Sequence, residues 1–226
     1  MSTSNTQLEI SSAGHFDAAI RPAPHDARRI PPAHLVDFLR KHTVRMRGWP
    51  VPFMDGGQPV HRHGNWIGQE YEDGRHKEAW RLFTSGQFLH RRVLVSDLVQ
   101  DQQLAADQAS ATGSVVVWDV LLYTVELVEL AARIATDLRC DTVTVNLNLV
   151  NIEGRQLVSG DWSRELHGPY LVNSGRLLAQ RLLTTTSLLA DPRGIAVSLT
   201  QDLLGQFGVD VPGQVLMDWQ EKTFNR

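Results

Sequence analysis

This sequence predicts an α+β fold, with a mainly antiparallel sheet of meanders and hairpins packed against two or three helices in a single domain. Three observations carry that expectation. Trp66 to Glu72, Glu78 to Thr84 and Gln87 to Val95 are short runs rich in aromatic and β-branched residues, separated by Asp73-Gly74 and Ser85-Gly86, the pattern of a β-meander. Val143, Val145, Leu147 and Leu149 alternate with Thr142, Thr144, Asn146 and Asn148, which predicts a strand with one buried face. Leu121, Val125, Val128, Ala131, Ile134 and Leu138 recur near a 3.6-residue period, the apolar stripe of a helix. Strands and helices occur in runs without strict βαβ alternation, hence α+β rather than α/β.

The remaining elements follow in order. Residues 1–30 mix Ser, Thr, Asn, Ala and Pro without sustained periodicity and read as a flexible N-terminal arm. Pro31-Pro32 suit a first helical turn, and Leu35, Val36, Leu39, Val44 and Met46 give a short amphipathic helix with Arg40, Lys41 and Arg45 on its opposite side. Trp49-Pro50-Val51-Pro52 must run extended, and Asp55-Gly56-Gly57 supplies a turn. Residues 98–113 are an acidic helix or loop. Val115 to Trp118 reads as a buried strand, with Asp119 as the N-cap of the long helix. Glu153-Gly154 turns the alternating strand back into Gln156 to Val158, Tyr170 to Val172 is a further strand, and Leu177 to Thr186 fits either strand or helix. Asp191-Pro192 is an N-cap with proline at the first helical position, opening a helix through Ile195, Leu199, Leu203 and Phe207 that Gly208 closes. The domain is expected over residues 31–210, with 211–226 as a C-terminal tail.

A chain of 226 residues buries about 70% of its unfolded surface, and 42% apolar with 21% charged residues excludes disorder as a description of the whole. No apolar run approaches the roughly 20 residues that span a bilayer, and the N-terminal residues lack the basic and apolar regions of a signal peptide. A cytoplasmic protein without membrane contact is therefore expected. Cys140 is the single cysteine, which rules out an intramolecular disulfide and a cysteine-built zinc site. Net charge is only −3, yet Arg21 to Arg47 carries seven basic residues against Asp26 and Asp37, whereas no Lys or Arg lies between Arg92 and Arg133. Such asymmetry suits a partner surface, and it also suits head-to-tail self-association.

R-G-W-P-x-P at Arg47 to Pro52, E-x-W-R-x-F-x-S-G-Q-F at Glu78 to Phe88, G-R-x-L at Gly154 to Leu157, and Asp191-Pro192 ahead of a last helix with Phe207-Gly208 form an ordered set. It resembles the region that follows the AlbA domain in bacterial proteins with Schlafen-type AlbA domains, over roughly residues 35 to 209. The AlbA domain itself has no counterpart within residues 1–30, so none of that family's functional residues carries over. The resemblance implies an accessory sensor or docking module that meets its effector as a separate chain.

Residues 47–95 hold three of the six tryptophans and four of the nine histidines, which makes this block the place to look for a site. Trp49, Trp66, Trp80 and Phe88 offer either core packing, the commoner use of such residues, or a concave stacking surface, with Arg47, Arg81, Arg91 and Arg92 to hold a phosphate or carboxylate. His61 and His63, at i and i+2, point to one face and with His76 are candidate ligands for a divalent metal, Glu70 or Glu78 then serving as general base. Arg40, Lys41 and Arg45 are the candidate nucleic-acid contacts. Cys140 lacks any Cys-His context, and no P-loop, dinucleotide fingerprint, nucleophile elbow or zincin motif occurs. The leading expectation is a noncatalytic ligand-sensing or protein-interaction module without a cofactor, working with a protein partner. A small metal-dependent hydrolase or lyase and a nucleic-acid-binding regulator are the alternatives.

Overall fold

The structure is a computed structural model that describes residues 4–54, 58–161 and 166–224; the turn expected at Asp55-Gly56-Gly57 lies outside them. In chain order the elements are α1 (Asn5–Ser12), β1 (His15–Ala23), a 3₁₀ turn (Pro32–His34), α2 (Leu35–His42), β2 (Val44–Arg45), β3 (Pro50–Val51), β4 (His61–His63), β5 (Trp66–Glu72), β6 (Lys77–Phe83) and β7 (Phe88–Val93). There follow α3 (Val95–Leu98), β8 (Ser114–Val116), α4 (Val117–Asp137), β9 (Thr142–Val150), β10 (Gln156–Val158), β11 (Arg176–Thr184), α5 (Thr185–Ala190), α6 (Pro192–Gly205) and α7 (Gly213–Phe224). Seven strands form one antiparallel sheet in the order β11-β9-β1-β7-β6-β5-β4. The fold is α+β, as expected, although the helices among the described residues outnumber the two or three anticipated. No helix among them is long and apolar enough to cross a membrane.

The expected meander is present as β5-β6-β7, and its second turn has a strict requirement. Gly86 lies at φ +81°, and a Cβ there would collide with the Leu138 side chain, so the turn needs a residue that tolerates positive φ and offers no bulk. Phe16, Ala18 and Ile20 of β1, Leu82 of β6, Phe88 of β7, and Val143, Val145, Leu147 and Leu149 of β9 are all buried and make the inner face. Across that face lies α4, buried along most of its length, with Tyr123 against Phe16 at 4.6 Å between ring centroids. Packed on both α4 and β11, α6 opens on Asp191, whose side chain accepts from the Gly194 N–H at 2.8 Å with Pro192 in the first turn.

Several expectations are corrected. The expected arm over residues 1–30 is, in its described part from residue 4 on, not loose: β1 pairs with β7 on one side and with β9 along its whole length on the other. The 211–226 tail is largely helix α7, anchored by buried Leu216 and by Gln220, whose amide donates to the Arg193 carbonyl at 3.2 Å. The expected helix through Met46 stops at His42, and Val44-Arg45 pairs with Pro50-Val51. Helix α4 starts two residues before Asp119, which sits in its first turn without capping it. The Glu153-Gly154 turn leads β10 out of the main sheet to pair in parallel with β8, Leu171 makes only an isolated bridge to Gln156, and residues 177–186 divide between β11 and α5.

A centrally inserted β1 has a measurable consequence. A chain beginning at residue 24 loses ladders on both sides of the break and the buried Phe16, Ala18 and Ile20, so it should show no cooperative thermal unfolding by circular dichroism. A native-like transition in that truncation would contradict the central placement of β1.

Candidate functional site

The pleat sorts the predicted residues onto opposite faces of the sheet. Glu78 and Trp80 of β6 and Phe88, His90 and Arg92 of β7 are buried on the inner face. Trp66, Arg81 and Arg91 line a cavity on the outer face, beneath α1. The single stacking surface of the sequence reading is therefore two separate places. Trp80 and Phe88 are core: Trp80 is 2% exposed and its indole N–H donates to the Phe53 carbonyl at 2.9 Å.

On the inner face, β6, β7 and α4 bring buried charges together. Arg47, just beyond β2, donates from Nε and Nη2 to the two carboxylate oxygens of Glu126 at 2.9 and 2.6 Å. Arg92 donates to Asp119 at 2.6 Å, and its guanidinium lies 4.6 Å from the Tyr123 ring centroid and 4.9 Å from that of Phe16. Paired in this way, guanidinium groups stay charged in a site where an unpaired cation would cost several kcal/mol. Glu78, fully buried, accepts from the Phe53 N–H at 2.7 Å, hydrogen-bonds His76 Nε2 and lies 3.4 Å from His90 Nε2. His90 Nδ1 in turn meets the Tyr123 hydroxyl at 2.9 Å. Burial alone would push the Glu78 carboxyl up, but the charge of His90 and the hydrogen bonds from His76 and His90 outweigh it and bring it from 4.5 down to about 2. The Tyr123 phenol is pushed well above its ordinary range, chiefly by burial, and stays neutral.

This network forms one wall of a cleft of about 410 Å³ lined by Arg47, Trp49, Arg75, His76, Arg92 and Trp118, among others. Trp49 packs on His76 at 4.6 Å and on Phe53 at 4.7 Å, and Trp118 is held by its N–H to the Gly160 carbonyl at 3.2 Å. Nε of Arg92 and Nε1 of Trp49 are buried without a partner, and Arg75 is exposed. The acids that line the cleft, Asp119 and Glu126, already have arginine partners. What the cleft offers a ligand is thus apolar surface and, at its rim, the exposed Arg75 side chain.

The proposed metal ligands are not assembled. His61 and His63 are exposed on β4, with His63 stacked on Trp66 at 4.0 Å on the outer side, whereas His76 turns to Glu78 on the inner side. Among the described residues no group of three His, Cys, Asp or Glu side chains is placed to hold a metal ion. The candidate nucleic-acid contacts Arg40, Lys41 and Arg45 are all exposed, and Lys41 is ion-paired with Asp137 at 2.9 Å. Cys140 is buried, and burial pushes its thiol up, as suits an unreactive side chain.

Asp119, Tyr123 and Glu126 were not foreseen as site residues. Their i, i+4, i+7 spacing puts them on one face of α4, and acids within an otherwise apolar helix, in a stretch without Lys or Arg, signal that their partners come from elsewhere in the chain. Compared with known proteins, the chain matches no family model, no curated protein and no solved structure.

The linkage at Glu78 has a definite sign. Its carboxyl ionises near 2 when folded against 4.5 ordinarily, so its ionisation favours the folded state above pH 4.5, and this contribution fades as pH falls toward 2. It amounts to roughly 3 kcal/mol. Urea midpoints of wild type and Glu78→Gln should therefore differ most above pH 4.5 and converge toward pH 2; a difference independent of pH would contradict the assignment.

Proposed function

We propose that this chain is a noncatalytic ligand-sensing module whose ligand is an amphipathic anion, an aryl or alkyl carboxylate or phosphate, bound in the cleft between Trp49 and Trp118. The observation that carries this reading is that both carboxylates lining the cleft are paired with arginine, which leaves the exposed Arg75 guanidinium as its charged rim group. An anion satisfies donors, and the apolar walls at Val51, Val95, Leu98 and Trp118 take the hydrocarbon part. The imidazoles at Glu78 and the Tyr123 hydroxyl are tied up in one buried hydrogen-bond network, an arrangement that supports a binding role for the cleft. The resemblance to an accessory region beside AlbA domains supports a second role, presentation of the loaded module to a separate protein partner, with exposed Arg40 and Arg45 on the basic side of the domain.

Naphthyl phosphate serves as a probe, since Trp49 and Trp118 report on it by fluorescence. It should quench wild type saturably, and Arg75→Ala should weaken it about tenfold, the effect of losing one charge-assisted hydrogen bond, with Arg75→Glu weakening it further. Absent quenching, or equal affinity in all three proteins, would rule out the cleft as an anion site.

A further inference from the structure

On the outer face, α1 roofs a cavity of about 210 Å³. We propose that this cavity is a second, separate ligand site, for a small single-ring or short-chain monocarboxylate, and that α1 is its lid. The floor comes from residues with little or no side chain. Gly68 of β5 and Ala79 of β6 leave the sheet bare there, and a Cβ at Gly68 would meet the Trp80 carbonyl at 2.7 Å, the Trp66 indole at 3.0 Å and Arg81 Cγ at 3.1 Å. Glycine within a strand marks a close approach. Here it lets Trp66 and Arg81 lie flat along the sheet, with the guanidinium 4.8 Å from the Trp66 ring centroid. Leu89 of β7 and Ile10 of α1 supply apolar walls.

Four charged side chains line this cavity, and three of them are engaged. Asp17 pairs with Arg91 at 3.1 Å, and the Glu70 carboxylate accepts from the Ser4 hydroxyl. Arg81 makes no ion pair among the described residues. It is part-buried, lines the cavity and lies over the Trp66 indole, with its guanidinium donors left without a counter-ion among the described residues. A carboxylate takes two of those donors at once. Glu70 and Asp17, at the two ends of the cross-strand row Glu70–Ala79–Arg91–Asp17, border the cavity from both sides and disfavour a dianion, which selects carboxylate over phosphate. A dry cavity of about 150 Å³ accepts benzene, so the volume here suits an acid of benzoate size.

The roof is lightly held. Ile10 is the only buried residue of α1, and the helix is clasped by Ser4 to Glu70 at one end and, toward the other, by Glu9 to Lys77 and by the Asn151 amide donating to the Ser11 carbonyl at 2.6 Å. Opening it exposes one apolar side chain and breaks these three polar contacts, whereas β1 behind it stays locked in the sheet.

The site is distinguishable from the cleft by mutation. Benzoate, titrated calorimetrically into the full chain, is expected to bind in the high-micromolar to millimolar range. Arg81→Gln and, independently, Ala79→Leu, which fills the floor, should each weaken it at least about tenfold, while Arg81→Lys retains part of the affinity. Arg75→Glu removes whatever benzoate the cleft takes up and should leave the Arg81-dependent binding unchanged, and hydrogen exchange of the α1 amides should slow on binding. The proposal is overturned if benzoate fails to bind at millimolar concentration, or if Ala79→Leu binds it as wild type does. Loss of benzoate in Arg75→Glu in place of Arg81→Gln would also overturn it while supporting the cleft. Loss of naphthyl phosphate binding by the cleft would leave this site standing.

Discussion

Buried charges on the inner face of the sheet can persist only if α4 brings partners to them, and that pairing sets how helix and sheet meet. Arg92 and His90 emerge from β7 into the core, where an unpaired charge or donor costs several kcal/mol. Asp119 and Tyr123 answer them from one face of α4, and Glu126, a turn further on, answers Arg47 from the β2–β3 hairpin. A rotation of α4 by one residue, about 100°, would strand all three pairs together. The apolar contacts of Phe16, Leu82 and Phe88 supply much of the burial but tolerate sliding; the charge pairs do not. They therefore specify the arrangement more than they stabilise it, because the desolvation of each ion offsets most of the Coulombic gain.

The cleft is a by-product of the same constraint. To reach Glu126, Arg47 must lie against α4, which carries Trp49 to the sheet edge and onto His76. Glu78 holds His76 and the Phe53 N–H at once, so the segment after β3 and the β5–β6 turn share one anchor. A ligand there would meet walls fixed by ion pairs on two sides, with Arg75 as the adjustable element at the rim.

Elements with a strong local pattern were legible in the residues. The meander, β9, the body of α4 and the Asp191-Pro192 start of α6 each follow from periodicity or capping within a few residues. The β1 strand was not, because its alternation of Phe16, Ala18 and Ile20 with His15, Asp17 and Arg21 is blurred by Ala19, Pro22 and Ala23, and its value lies in pairing with β9 more than a hundred residues away. Asp119 was legible as belonging near a helix start but not as the counter-ion of Arg92, a contact that depends on tertiary placement. The aromatic block pointed to the correct segment, yet Trp66 and Trp80 went to opposite faces. Trp80 pairs with Gln69 and Trp66 with Phe83, and which residues share a face across a turn depends on register, which composition does not reveal.

That division is what makes two sites possible in so small a sheet. Along β6, Glu78, Trp80 and Leu82 build the inner core, while Ala79 and Arg81 between them build the outer cavity. Neither face can enlarge its side chains without regard to the other, since both hang on one backbone, but the side chains themselves never meet. Arg92 is consumed by its buried acid; Arg81 lies over the Trp66 ring and makes no ion pair among the described residues. The same residue type on neighbouring strands thus holds structure together on one face and stands without a carboxylate partner among the described residues on the other, and what separates the two is whether α4 or α1 lies over it.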